Sequence, residues 1–466
     1  MKKAAGILLL LPFFLLNSMV STAGEGEERR WQDESVYYIA VDRFFNSDRS
    51  NDEQVDVEDP QAYQGGDFAG LTSQLDYIEE LGFTTIQLSP VMANAPGGFH
   101  GFWVTDFRSV EEQYGTMEEM RAFVQEAHDR DLRVVLDLPL FTAAEHPWLK
   151  DETKSSWLKE GVTEAPVSWL DDLPQLNMDN KETAAYIKET MNFWMEEAEV
   201  DGFHLVSQTG LEMTEDLDDI LYTTSVADSK EFSQPLRDVF AAPGAVKGKA
   251  VDNSGETVVQ HLDGPFTGRF THEAVENGQN PITRWRLGLT YIFTTPGLPV
   301  VYYGSETPLD DGGNPEAAPM INVKAGNEEL KQRVEKLTSM REQYPAITRG
   351  DYEELYNDNG LIVFERSDEE ESLIVAINNA SETKTAELDH LDSGLQLRGL
   401  LQDGVVREQS DGTYRLAMDR ETADVFIMEE DSGYNWLFIG FVGGVLLLFT
   451  VAVIILSRKS RSSEKA

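Results

Sequence analysis

Two residues apart in 200-VDGFHLVSQTG-210 stand an imidazole and an isopropyl group, His204 and Val206. Alternate residues of a strand point to the same face, so this segment would deliver both side chains to one place. Histidine can carry a proton near neutral pH; valine has no lone pair with which to do anything. In 98-GFHGFWVTDF-107, His100 lies among Phe99, Phe102 and Trp103, aromatic faces that can stack on a flat ligand or pack into a core. Asp137 sits in 132-LRVVLDLPL-140, and 262-LDGPFTGRF-270 carries Asp263 and Arg269. Acid and base chemistry needs facing carboxyl groups. Beyond Asp137 and Asp263, Asp201, Glu212 and Glu215 lie close to these segments in the chain.

The elements that would position them alternate. Short β-branched or aromatic runs, VYYIAVDRF, FTTIQLSP, LRVVLDLPL, DGFHLVS, ILYTTSV, ETVVQHLD and GLPVVYYG, are separated by stretches with helical periodicity such as Leu71, Leu75, Ile78 and Leu81. Repeated βα units close naturally into a (β/α)8 TIM barrel, whose working residues sit at the C-terminal ends of the strands. The interval 207–256 leaves little room for a fifth and sixth unit, so the barrel is expected to be degraded there. Residues 141–180 break the rhythm after the third strand and read as a short loop domain. The barrel is thus expected over 34–345. Segments such as GLIVFERS and ESLIVAINNAS, parted by Gly, Asp and Asn, make 346–428 an antiparallel β-sandwich, followed by a polar linker, 429–435.

The two ends are apolar. Residues 1–23 combine Lys2 and Lys3 with an apolar run and a Ser21-Thr22-Ala23 cleavage site, the pattern of a signal peptide; the alternative is a retained anchor. Residues 436–456 carry no charge, and about 21 residues at ~1.5 Å each would cross the ~30 Å hydrocarbon core. The basic tail 457–466 then predicts a single-pass protein of the cell membrane, its ectodomain extracellular and its tail cytoplasmic. A formal net charge of −45 excludes a nucleic-acid partner. The chain has no cysteine, so disulfides and thiolate metal sites are excluded too.

YQGGDFAGLTSQLDYIEELGFTTIQLSPV, GGFHGFWVTDF, EEQYGTMEEM, LPQLN, RFTHE and TTPGLPVVYYGSE follow one another in this chain, and in that order they resemble the landmarks of the α-amylase family, glycoside hydrolase family 13. The resemblance covers most of 34–428. It implies a (β/α)8 barrel, a loop domain after the third strand and a C-terminal β-sandwich. It also implies retaining hydrolysis of α-glucosidic bonds by two carboxyl groups about 5–5.5 Å apart, with a third carboxylate beside them. The residues at those family positions differ here. His204 stands for the arginine and Val206 for the nucleophilic aspartate, with Thr209 and Gly210 for a Lys-His pair. Ser225 falls on the acid/base glutamate, and Gly264, Pro265 and Phe266 replace Asn-His-Asp, which removes the third carboxylate. Asp137 is kept, with Phe141 and Thr142 for the Asn-His that follows it.

Several other family positions survive. His100, Phe102 and Trp103, with Asp137, Asp263 and Arg269, form the candidate sugar-binding set; core packing and structural hydrogen bonding are the alternative reading. The segment 42-DRFFNSDRSND-52 with 64-QGGD-67 resembles a calcium site of cyclodextrin glucanotransferases. The resemblance assigns Ca²⁺ to Asn46, Asp48, Asn51, Asp52, the carbonyl of Gly65 and Asp67, a set of hard oxygens of the kind calcium takes. An Asx-rich surface turn is the alternative.

The chain therefore reads as a membrane-anchored, extracellular, catalytically inactive member of the α-amylase family. Its partner would be an α-glucan such as a maltodextrin, or a membrane or amylase-like protein. The competing reading is an active α-glucan hydrolase at the cell surface, with catalysis moved to Glu212, Glu215 or Asp201.

Overall fold

The computed structural model describes residues 29–162, 165–209, 220–226, 229–246, 259–431, 433 and 436–463. Seven strands form one parallel sheet: β1 (Val36–Ile39), β2 (Thr85–Leu88), β3 (Arg133–Pro139), β4 (Gly202–Ser207), β5 (Ile220–Ser225), β6 (Val259–Gln260) and β7 (Leu298–Tyr302). Their order, β6-β7-β1-β2-β3-β4-β5, is that of a barrel curling round to meet itself. The two edges are β5 and β6. An eighth strand would lie between them, and none is found there among the described residues. Within the interval 207–256, residues 210–219, 227–228 and 247–256 lie outside the described residues.

The strands form because they are buried on both sides. Every residue of β1, β2, β4 and β7 is buried, which suits Val, Ile, Leu and aromatic side chains. The helices between them start at side-chain caps. Thr116 and Glu119 make a reciprocal capping box ahead of helix Met117–His128, and Asn180 caps Lys181–Ala198. Met120, Phe123, Val124 and Ala127 then turn one apolar face of the first of these to the sheet.

The register carries the site. Asp137 lies beside His204 and Pro139 beside Val206 across β3–β4, while β5 pairs its Tyr222 with His204 and its Thr224 with Val206. The connection after β3 is irregular, built from short 3-10 turns and a two-residue strand pair, Leu158–Lys159 with Gln175–Leu176.

The C-terminal region is antiparallel. Six strands between 351 and 430 form one sheet, and Lys384–Leu388 with Tyr414–Met418 form a second. The sheets enclose their own core of Leu361, Val363, Ile374, Leu397, Leu416 and Phe426. Arg284, fully buried on helix Pro281–Thr294, joins this region to the barrel by donating to Asn379 Oδ1 at 2.8 Å and pairing with Glu421 at 2.9 Å.

One expectation is overturned. The last helix runs Trp436–Ser463, but no helix among the described residues is long and apolar enough to cross a membrane. The transmembrane helix predicted over 436–456 is therefore not supported. The single-pass location, the membrane contact and the extracellular and cytoplasmic sides derived from it are withdrawn with it. The predicted signal peptide, 1–23, lies outside the described residues.

Candidate functional site

At the centre of the barrel β1 to β5 each contribute a polar side chain to one buried network. Asp137 is its hub. Tyr38 donates to Oδ2 at 2.5 Å, while Gln87 Nε2 and His204 Nδ1 both lie 2.7 Å from Oδ1. A carboxylate only accepts, so in the neutral imidazole of His204 the proton is on Nδ1 and Nε2 accepts from the Thr224 hydroxyl at 2.9 Å. Tyr222 stacks on the imidazole with ring centroids 4.0 Å apart and donates to Gln87 Oε1 at 2.8 Å. Burial, and then the charge of Asp137, push the Tyr38 and Tyr222 phenols well above their ordinary range. They remain protonated donors.

One pleat higher on β4 the character reverses. Val206 packs into an apolar cluster with Phe102, Phe141, Val167, Leu170, Leu173, Val226 and Phe266. Val167, Leu170 and Leu173 come from the irregular connection after β3, which folds back over the mouth of the barrel. Trp169, on the same segment, lies flat on His100 with centroids 3.9 Å apart and planes 12° apart, and stacks on Phe102 at 5.5 Å. Three contacts hold the flap. Trp103 Nε1 donates to Trp169 O at 2.6 Å, Gln208 Nε2 to Leu170 O at 3.2 Å, and the amide of Ser168 to Glu316 Oε1 at 2.7 Å. At ~1.5–3 kcal/mol for each large apolar side chain fully buried, this cluster stabilises closure strongly and gives a charge no welcome.

Between the two levels lies a cavity with about 30 Å³ of room for water centres, lined by His204, Thr224, Tyr222, His261 and Phe266 among others. His261 is half-buried beside it with its pKa lowered to about 4, because loss of solvent disfavours the imidazolium. Its Nδ1 faces the carbonyl of Asp263 at 3.2 Å. Asp263 and Arg269 stand to one side and shape the turn after β6. Asp263 Oδ1 accepts from the Phe270 amide at 2.6 Å, and Arg269 Nη1 donates to Tyr303 O at 2.7 Å with its guanidinium over Tyr302 and Tyr303. Burial raises the Asp263 pKa despite Arg269 and Arg237 nearby.

The structure thus sorts the sequence-derived candidates into three places. His100, Phe102 and Trp103 meet at the mouth, where Trp169 stacks on the first two and accepts from the indole of the third. Asp137 and His204 are in the floor, and Asp263 and Arg269 are in the β6 turn. Ser225 is buried, and its hydroxyl has no hydrogen-bond partner among the described residues. Asp201 accepts from the Val134 amide at 2.7 Å and pairs with His128 at 2.8 Å, at the opposite end of β3 and β4 from the mouth. Glu212 and Glu215 lie outside the described residues. Sequence reasoning missed Gln87, Tyr222, Thr224, His261 and Trp169. For Gln87 a signal existed: it is the polar residue in the middle of an otherwise apolar strand.

The loop expected to hold calcium divides. Asp67 caps helix Phe68–Ser73, accepting from the amides of Gly70, Ser47 and Asp48 at 2.5, 2.9 and 2.7 Å. Asp48 accepts from the Ser50 amide at 2.8 Å. Asn46 Nδ2 donates to Asp52 at 2.9 Å, and Gly65, at φ +91°, passes so close that a β-carbon would lie 2.1 Å from Asn46 Nδ2. Asn46 Oδ1 and Asn51 Oδ1 are buried with no partner. Unpaired hard oxygens beside a carboxylate fit a calcium ion. Among the described residues no group of three His, Cys, Asp or Glu could hold a metal, so any such site relies on amide and carbonyl oxygens.

Comparison with known proteins agrees with this architecture. Residues 38–169 match the family model "Alpha amylase, catalytic domain" and residues 350–426 the model "Alpha-amylase C-terminal domain". An Anoxybacillus α-amylase structure superposes with a TM-score of 0.76 at 35% identity, covering 87% of this chain and 100% of that one. The α-amylase of Geobacillus thermoleovorans, solved with acarbose, gives 0.75 at 32% identity over 87% of this chain and 100% of that one. A "Beta/alpha-amylase" of Paenibacillus polymyxa is 27% identical over 437 residues, 81% of this chain; the chain spans only 36% of that relative's length.

Proposed function

The chain belongs to the α-amylase family, and we propose that it is a catalytically silent member, acting by binding and not by turnover. The observation that carries this reading is the apolar cluster at the mouth. Val206 and Phe266, which by the sequence resemblance stand for the family's nucleophile and third carboxylate, pack here against Phe102, Phe141 and the flap. Retaining hydrolysis needs two carboxyl groups on either side of a glycosidic oxygen. Among the described residues, Asp137 is committed to Tyr38, Gln87 and His204, and Asp263 to the turn after β6. Enzymes lower barriers by ~8–23 kcal/mol chiefly through charges placed in advance, and among the described residues no carboxylate of this mouth faces a substrate.

What such a protein would bind follows from the same geometry. The relatives are amylases, which makes an α-glucan the first candidate ligand. Trp169 already covers the aromatic faces of His100 and Phe102, which favours a protein partner over a glucan in the cleft. The loop of Asn46, Asn51, Asp52 and Gly65 is proposed to hold one calcium ion, with Asp67 shaping the loop; in the presence of EDTA the thermal midpoint should drop, and in Asn51→Ala the difference should vanish.

The deciding experiment is release of reducing sugar from soluble starch and maltoheptaose by the purified protein with calcium, beside Val206→Asp. No turnover by folded protein is expected from either. Turnover by the unaltered protein would instead install the active-hydrolase reading. Titration calorimetry with maltoheptaose separates the two ligand classes: heat at submillimolar sugar would favour a glucan over a protein partner.

A further inference from the structure

A second cavity, with about 30 Å³ of room for water centres, lies beside the apolar mouth. Its lining includes Arg43, His100 and Trp169, and each of these carries a buried nitrogen with no hydrogen-bond partner: Arg43 Nε, His100 Nε2 and Trp169 Nε1. All three are donors. Arginine and indole nitrogens only donate. His100 Nδ1 accepts from the Phe102 amide at 3.0 Å, so the neutral ring carries its proton on Nε2. Among the described residues no carboxylate lines this cavity. Asp42 lies 3.0 Å from Arg43 Nη1, the carbonyls of Ala62 and Pro60 accept from the guanidinium, and its face lies over the Phe99 ring at 4.2 Å from the centroid, which leaves Nε unpaired. Ser89 and Tyr302 bring hydroxyls that can donate as well.

Buried donors without acceptors are costly, about 1–3 kcal/mol each, and three on one cavity wall call for an occupant that accepts from all of them. Water offers two protons that themselves need acceptors. We propose that this cavity is a binding site for a halide-sized monovalent anion such as chloride. Arg43 and His100 come from the barrel and Trp169 from the flap, so the anion bridges the two and ties closure of the mouth to its own binding. The room available, enough for one or two water molecules, admits a halide and excludes a sugar acid. The site does not depend on whether the mouth is catalytically silent.

The test is thermal unfolding of the full chain at constant ionic strength with sodium gluconate exchanged stepwise for sodium chloride. The expected result is a midpoint that rises and saturates with chloride, by several degrees at a hundredfold excess over half-saturation. Trp169→Phe keeps the ring stacked on His100 and removes only the N–H; its half-saturating chloride should be higher by on the order of tenfold. Arg43 is too deeply built into the fold to serve as the variant. A crystal soaked in sodium bromide should show bromide within hydrogen-bond distance of all three nitrogens. Equal midpoints in gluconate and chloride, with water and no bromide in the cavity, would overturn the proposal. An unchanged half-saturation in Trp169→Phe would overturn the flap's share in it.

Discussion

His204 and Val206 are two residues apart on one strand and face one interior, yet they occupy opposite environments. The lower level is a polar network in which every group has found a partner: Asp137 accepts from Tyr38, Gln87 and His204, and His204 in turn takes the Thr224 hydroxyl. The upper level is an apolar cluster roofed by the flap. A carboxylate in the lower level is held by three donors and is stabilising there. One placed in the upper level would meet none. A barrel can therefore keep polar chemistry in its depths as structure after its mouth has been rebuilt as core, and the surviving polar residues are poor evidence of surviving activity.

The largest effect should come from crossing the two environments. Val206→Asp puts an ionised group among Phe102, Phe141 and Phe266 with no donor in reach, and should lower stability by about 3–5 kcal/mol in chemical denaturation. A loss below about 1 kcal/mol would mean that the mouth is wet and the contrast false. Next is Phe141→Ala, fully buried, at about 3–4 kcal/mol for transfer and cavity together. Asp137→Asn leaves shape intact but turns an acceptor of three hydrogen bonds into a partial donor; about 2–3 kcal/mol is expected, read by the same denaturation.

The pH dependence sharpens the comparison at the boundary between levels. His261 has a folded pKa of about 4 because it is partly shielded from solvent, against an ordinary 6.5. The unfolded chain binds this proton from pH 6.5 downward and the folded chain only below about 4, so stability falls as pH drops across that window. Asp42 works the other way. Burial raises its pKa to about 6, so the folded chain takes up a proton first and gains stability as pH drops from 6 toward 3.8. His261→Gln should accordingly lose less stability than the unaltered protein between pH 7 and 4.5, by about 2–3 kcal/mol. Identical pH profiles would show that His261 is hydrated.

Much of the architecture was legible because strands and helices announce themselves locally. Two-sided burial demands apolar runs such as Val36–Ile39, and helix starts such as Thr116 with Glu119 are written in adjacent residues. The candidate residues His100, Phe102, Asp137 and His204 were visible through their setting in such runs. Trp169 was not: its segment has no period to read, and its stacking partner His100 is remote in sequence. Nor were the partners of His204, since Gln87 and Thr224 reach it only through the register of four strands. The run 436–456 misled in the opposite sense, because composition alone stood for a span that the described helix does not provide.

The smallest effect expected is Thr224→Val, and its size depends on the cavity between the levels. The substitution keeps the shape of the side chain and removes the hydroxyl that donates to His204 Nε2, leaving a buried acceptor unpaired. In a dry interior this costs about 1–3 kcal/mol. Here His204 and Thr224 both line a cavity with about 30 Å³ of room for water centres, above the ~10–15 Å³ that one water needs. A water there can donate to Nε2 in place of the hydroxyl, so the loss should stay under about 1 kcal/mol. A loss near that of Asp137→Asn would mean that the cavity is too apolar to hold water, and that the polar floor ends at Thr224.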